Sequence, residues 1–323
     1  MFKWGIIGCG RIAGKFVEAA QSLDGVYVEA TASRSIEKSR EFARTYGIPR
    51  AYGSYEELLE SDIDAVYIAT VNSAHYECLM LCLEHGVPVL CEKPMLMTLA
   101  EFDRVTALAK DKKVALMEAM WTSFLPSINK IKELIDGGAI GNPLYAGLNF
   151  IVNFRDEPDG RIFNPALGGG LIFDIGVYNL HIAFTLFGHK YGDIKITGKK
   201  GATGVDTASV ITLDYPGGPL VNTVTADGIG PYEINIVGKA GGIRAAKYNG
   251  AEQVILTGRD GAETVYNCPF DKNGFEYEAA EFVKIVSEGR LESDIVSIKR
   301  SRRVCEIMER AYNQICGEDS RLT

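Results

Sequence analysis

The sequence has seven cysteines but no CxxC pair: Cys9, Cys78, Cys82, Cys91, Cys268, Cys305 and Cys316 are irregularly spaced and odd in number. That excludes a zinc-ribbon or dithiol redox framework, and no His pair stands at ligand spacing beside Cys78 and Cys82. The thiols read as small buried side chains in a reducing compartment, and no metal is expected. A basic excess is also missing. Lys and Arg number 34 against 42 Asp and Glu, a formal net charge of −8. This excludes a general nucleic-acid binder, because phosphate neutralisation needs cations. No apolar run is long enough to span a bilayer, since the richest stretch, 171–187, carries Asp174 and His181. The chain start lacks the charged-then-apolar-then-small order of an export signal. The expectation is a cytoplasmic protein with neither membrane nor nucleic-acid partner.

What is present is the composition of a globular protein. The 323 residues are 46% hydrophobic and 24% charged, too many for one ordinary core and enough for two domains. Apolar strand patterns at 4–7, 26–32, 65–69, 87–91 and 114–118 alternate with helical patterns at 11–22, 36–46, 55–60, 75–85 and 99–112. Continuous apolar strands separated by helices predict a parallel sheet covered on both faces. After Trp121 the rhythm changes. A helix over 126–136 and an alternating strand over 144–153 lead to an apolar helix over 169–187. Strands and turns then fill 193–265, with Gly217-Gly218, Gly241-Gly242 and Asn249-Gly250 as turn signals. Helices over 275–288 and 297–315 close the chain. The predicted class is α/β: a Rossmann doubly wound parallel sheet in 1–120, and an α+β domain with a mainly antiparallel sheet in 121–323.

Gly8-Cys9-Gly10-Arg11-Ile12-Ala13 joins the first strand to the first helix. Gly8 permits a tight turn, Gly10 lets backbone approach a pyrophosphate, and Ala13 is the third small residue for helix–strand packing. The helix N-terminus offers N–H groups and a favourable dipole to phosphates. The second strand then ends Thr31-Ala32-Ser33-Arg34, with Lys38 one turn later. An acidic residue there would bind a ribose 2′-hydroxyl, whereas Ser33, Arg34 and Lys38 suit a 2′-phosphate. Glu29 lies too early in the strand for that role. The expected cofactor is NADP(H).

Cys91-Glu92-Lys93-Pro94-Met95 follows a buried strand, at the sheet end where ligands bind. Lys93 is thereby placed to meet substrate, with Pro94 restraining the backbone, in a cis or trans bond. In 168–181, Asp174, Tyr178 and His181 stand at i, i+4 and i+7 and share one stripe of a buried helix. Three polar groups there need hydrogen-bond partners or a cavity.

The sequences Gly8-Cys9-Gly10-Arg11-Ile12-Ala13, Thr70-Val71-Asn72-Ser73-Ala74-His75, Glu92-Lys93-Pro94, Glu118-Ala119-Met120-Trp121-Thr122 and 168–178 together resemble the Gfo/Idh/MocA oxidoreductase family. The likeness is greatest to its dimeric dihydrodiol and NADP-dependent D-xylose dehydrogenase branch. The resemblance implies a substrate domain with an open-faced sheet through which subunits pair as a homodimer or higher oligomer. It implies a catalytic Lys93 and, where the wider family has His, an acid–base Tyr178. It sets Thr70, Asn72, His75 and Glu92 beside the cofactor. Relatives of this branch carry Arg where this chain has Ser123.

Hydride transfer to or from an alcohol requires a group that takes or returns the hydroxyl proton. The expectation assigns this to Tyr178, with the Lys93 ammonium favouring tyrosinate and Asp174 orienting Lys93 or binding a substrate hydroxyl. His181 is an alternative base or a packed histidine. Arg161 is a substrate ligand or a surface charge, and Trp121 a pocket wall or core. The expected substrate is a sugar, diol or related small alcohol or carbonyl. The alternatives are an inositol or other polyol dehydrogenase, or a catalytically silent NADP sensor.

Overall fold

The computed structural model describes residues 1–154 and 160–317. These fall into two compact units, Met1–Trp121 with Asp271–Ser301, and Thr122–Phe270 with Arg302 onward. The segment Asp271–Ser301 thus clusters with the first unit, whereas the sequence reading assigned everything from 121 on to the second domain.

In the first unit, β1 (Phe2–Ile7), α1 (Arg11–Ala20), β2 (Val26–Ala32), α2 (Ile36–Tyr46), β3 (Arg50–Tyr52) and α3 (Tyr55–Leu59) are followed by β4 (Ala65–Ile68), α4 (His75–Glu84), β5 (Val89–Glu92), α5 (Leu99–Lys112) and β6 (Leu116–Ala119). The strands form a parallel sheet in the order β3-β2-β1-β4-β5-β6. Every residue of β4, β5 and β6 is buried, as helices on both faces require. Local signals set the helix ends. Ser35 and Thr98 accept the Lys38 and Glu101 N–H groups as N-caps, and Gly47 at φ 68° stops α2. From the later segment, α8 (Phe275–Ser287) lays Phe282 against Trp4, ring centroids 5.6 Å apart. The Leu291 carbonyl accepts the Leu116 N–H at 3.0 Å, covering part of the edge of β6.

The second unit opens with α6 (Pro126–Asp136) and β7 (Pro143–Val152). A π turn, Ile172–Gly176, then runs into α7 (Val177–Phe187). β8 (Asp193–Lys200), β9 (Asp206–Asp214), β10 (Leu220–Asp227), β11 (Tyr232–Gly238), β12 (Gly241–Ala246), β13 (Gln253–Gly258) and β14 (Glu263–Asn267) complete an eight-stranded sheet, and α9 (Ile298–Cys316) ends the described chain. The sheet order is β14-β13-β12-β11-β7-β10-β9-β8, antiparallel throughout except for the β7–β10 pair. One apolar helical stretch, Pro165–Phe187, has the length and hydropathy of a membrane span, but 89% of its most apolar window is buried inside the protein. Gly241-Gly242 is not a turn: both residues belong to β12, and a side chain on Gly241 would collide with the Thr257 carbonyl of β13. Small size, not turn geometry, selects glycine there.

Candidate active site

At the end of β1, Gly8 has φ 99°, and a Cβ on it would stand 2.6 Å from the Ala69 carbonyl oxygen. Only glycine meets both conditions. Gly10 differs. Its φ of −96° suits any residue, and nothing lies within 4 Å of where its Cβ would be. The missing side chain therefore leaves room outside the protein, at a helix start that no side chain caps. Space, an uncapped turn of N–H donors and the positive end of the α1 dipole fit a pyrophosphate. Close helix packing is served by Gly14 as well as the buried Ala13: a Cβ on Gly14 would run into the Tyr46 hydroxyl of α2. Arg11 is exposed at the first position of α1, followed by Ile12. Cys9 lies 3.4 Å from the Thr31 hydroxyl, and burial raises its thiol above the usual range.

Ser33 and Arg34 directly follow β2, and Lys38 lies in the first turn of α2; Arg34 and Lys38 are exposed. Ser33 Oγ accepts the Ser35 N–H at 3.4 Å. Glu29 is engaged elsewhere, 3.4 Å from Arg50.

Lys93 sits in a turn gripped by buried side chains. The Lys93 N–H donates to Glu92 Oε2 at 3.1 Å, and the Met95 N–H to Glu118 Oε1 at 2.9 Å. Between them the Pro94 carbonyl lies 2.9 Å from His75 Nδ1. The Lys93–Pro94 bond is cis. Glu92 also accepts the Tyr67 hydroxyl, whose ring stacks on Phe16 of α1 at 3.7 Å. His75 is 1% exposed, and its Nε2 lies 3.3 Å from the Thr70 carbonyl. Burial first, and the Lys93 charge last, hold its imidazole below the ordinary range, so it is neutral and donates one N–H. Both ring nitrogens thus face backbone, and what His75 ties down is the Lys93 turn. Asn72, 7% exposed, opens the short 3-10 turn Asn72–Ala74 before α4. Trp121 stacks on Phe275, 4.9 Å between centroids.

In the second unit, Asp174 lies within the π turn, where the α spacing used to align it with Tyr178 and His181 does not hold. Asp174 Oδ1 accepts Arg161 Nη2 at 2.6 Å. His181 is fully buried, and Ser123 is 1% exposed. Tyr178, 8% exposed, has Phe150 at 5.9 Å, in a cluster with Tyr232 and Tyr248. Burial pushes the Tyr232 and Tyr248 phenols up, so both keep their protons. Tyr248 donates to Asn179, which donates to the Val224 carbonyl of β10 at 3.1 Å. Sequence reasoning did not find this cluster, nor the tethering by His75 and Glu118. Among the described residues no group of three or more His, Cys, Asp or Glu is placed to hold a metal ion.

Comparison with known proteins gives matches over both units. Residues 2–120 match the oxidoreductase family with an NAD-binding Rossmann fold, and residues 128–244 match the GFO/IDH/MocA C-terminal domain. The chain is 34% identical to trans-1,2-dihydrobenzene-1,2-diol dehydrogenase of Xenopus laevis, covering 97% of this chain and 98% of the relative. It is 33% identical to a scyllo-inositol 2-dehydrogenase (NADP(+)) of Bacillus subtilis, covering 98% and 97%. Among solved structures, the aldose-aldose oxidoreductase of Caulobacter crescentus superposes with a TM-score of 0.87 at 23% identity, over 97% of this chain and 98% of that one.

Proposed function

This chain belongs to the Gfo/Idh/MocA oxidoreductase family, and from that membership we propose that it is an NADP(H)-dependent dehydrogenase of a sugar, diol or related small alcohol or carbonyl. The observation that carries the reading is the restraint on Lys93. The backbone of residues 93, 94 and 95 is held by Glu92, His75 and Glu118. Three buried side chains spent on fixing the backbone that carries Lys93, beyond a strand end, support a role for that lysine, and a cation so based suits hydride chemistry.

When bound, the nicotinamide supplies the hydride chemistry. The backbone around Gly8, Cys9, Gly10, Arg11 and Ile12 holds the pyrophosphate, and Ser33, Arg34 and Lys38 hold the 2′-phosphate. Thr70, Asn72, His75 and Glu92 shape the nicotinamide end. Tyr178 moves the proton of the reacting hydroxyl, and Lys93 stabilises the oxyanion that forms. Asp174 and its ion-pair partner Arg161 bind substrate hydroxyls. Trp121 is assigned to the pocket wall, and His181 to packing.

Protomers pair through the bare sheet face of the second unit. Leu220 and Val237 flank Tyr145 in register, 43%, 43% and 36% exposed, an apolar row that suits a second copy. That all seven cysteines are free supports a reading in which the protein works in a reducing compartment such as the cytoplasm. The test is a turnover screen with NADP and NADPH against aldoses, polyols, vicinal diols and dicarbonyls, followed by nicotinamide absorbance. Tight NADPH binding without oxidation or reduction of any of them would leave a dinucleotide sensor instead.

A further inference from the structure

The helix that carries Asp174 and Tyr178 has no cap of its own. Leu171 stands at its N-cap position and makes no side-chain cap hydrogen bond. A cap arrives from elsewhere in the unit. Asp206, the first residue of β9, is fully buried, and its Oδ2 accepts the Ile172 N–H at 2.9 Å. Its Oδ1 has no hydrogen-bond partner and points at Gly170, where a Cβ would come within 2.7 Å of it. Gly170 has φ +132°, a region closed to side chains, so the chain is shaped there to admit the carboxyl group. The opposite side of the helix start is also enclosed. The Gly169 and Gly170 N–H groups donate to the Asn164 and Ile162 carbonyls at 3.0 and 2.8 Å, in the loop that carries Arg161.

A buried acid with one unsatisfied oxygen is an expensive way to cap a helix, when Ser or Asn at position 171 would do so locally. What a cap from β9 adds is a link between helix and sheet. It ties the first N–H of the π turn, two residues before Asp174 and six before Tyr178, to a fixed strand. A Cβ at Gly176 would stand 3.7 Å from the Thr225 side chain of the neighbouring β10, so helix and strand lie close there. Rotation or sliding of this helix would move both polar side chains together.

We propose that Asp206 is a positioning residue for the reaction: by anchoring the Ile172 N–H to the sheet it sets where Asp174 and Tyr178 point. The proposal rests on the reading of Tyr178 as the acid–base group. The test compares Asp206→Ala in the wild-type chain and in Tyr178→Phe, with kcat, KM and NADPH Kd measured below the melting temperature of each variant. Asp206→Ala is expected to lower kcat about 10-fold or more in the wild-type chain and no more than about twofold in Tyr178→Phe, because residues acting as a unit do not add. NADPH Kd stays unchanged, and Asp206→Asn, which keeps an oxygen for Ile172, recovers most of the loss. Should Asp206→Ala not fold, Asp206→Leu, which fills the side-chain volume but accepts no hydrogen bond from Ile172, carries the same comparison against Tyr178→Phe. Equal losses in the two backgrounds, or none in either, would overturn the proposal while leaving Tyr178 in its role. Full turnover in Tyr178→Phe alone would remove Tyr178 from catalysis and this proposal with it.

Discussion

His75 Nδ1 and the Pro94 carbonyl oxygen are 2.9 Å apart, a bond across 19 residues between the first turn of α4 and the loop after β5. It is the only side-chain restraint named above on that loop that is not a carboxylate. Replacing His75 with Ala leaves the buried Pro94 carbonyl and the part-buried Thr70 carbonyl without their ring neighbour. A lost buried hydrogen bond costs about 1–3 kcal/mol. Loosening of the Lys93 turn is expected to lower kcat roughly 10- to 100-fold. His75→Asn, which can still donate to one carbonyl, should recover part of it. Steady-state kinetics beside a melting curve checks this, and unchanged kcat in a folded His75→Ala chain would show that the tether has no bearing on turnover.

The two catalytic assignments separate by what they leave behind. Tyr178→Phe keeps the ring in its cluster with Phe150 and removes only the hydroxyl. It is expected to lose about 10²–10⁴ in kcat with NADPH affinity retained. Lys93→Met removes the cation from a half-buried turn and should lose at least as much. Fluorescence titration with NADPH gives the binding term, and single-turnover rates give the chemistry.

Gly10 and Gly14 lie one turn apart on the same segment and predict opposite failures. An alanine at Gly10 meets no protein atom, so Gly10→Ala should fold with a normal melting temperature and lose dinucleotide affinity, by about 10-fold or more, through steric exclusion of the pyrophosphate. An alanine at Gly14 meets the Tyr46 hydroxyl. Gly14→Ala should therefore lower the melting temperature, and Tyr46→Phe in the same chain should restore part of it. If Gly10→Ala bound NADPH normally, the space at the α1 N-terminus would not be the phosphate site.

Arg34 and Lys38 are both exposed beside the end of β2, and together they carry the proposed NADP preference. A charge-assisted hydrogen bond contributes about 1.5–3 kcal/mol. Arg34→Ala is accordingly expected to cut kcat/KM for NADP roughly 10- to 100-fold and to leave kcat/KM for NAD nearly unchanged. Equal losses with both dinucleotides would assign Arg34 to a general structural role.

How far these features can be read from the sequence depends on how local their causes are. α2, α5 and α6 are legible to the residue because Ser35, Thr98 and Pro126 sit at their starts. The parallel sheet is legible from the apolar runs of β4 and of β5 up to Glu92. β3, three residues long, carries no period to read. The π turn at Ile172–Gly176 leaves no trace in apolar spacing, and so the shared stripe of Asp174, Tyr178 and His181 is drawn on the wrong helix. Gly241-Gly242 looks like a turn in sequence and is a strand that approaches β13 closely. The grip on Lys93 is the most telling case. Lys93 itself is legible from its motif, whereas Glu118 and His75 reach its loop across 23 and 19 residues, and no local pattern announces a side chain that bonds to distant backbone.

Asp206 gives the stability of the chain a pH dependence opposite to that of an ordinary salt-bridged carboxylate. Burial raises its carboxyl from the usual 3.8 to about 7, against the opposing pull of the Ile172 N–H. Between those values the folded chain holds a proton that the unfolded chain has released. Stability therefore falls as pH rises through this window, and the contribution is flat below it and above it. Across the whole span the effect is on the order of a few kcal/mol. Asn in place of Asp206 binds no proton and keeps an acceptor for Ile172. Urea unfolding at intervals from pH 5 to pH 8 should show the wild-type chain losing stability toward pH 8 relative to Asp206→Asn, with the difference largest at the alkaline end. Parallel curves for the two chains would mean that Asp206 is ionised throughout this range in the folded chain as in the unfolded one.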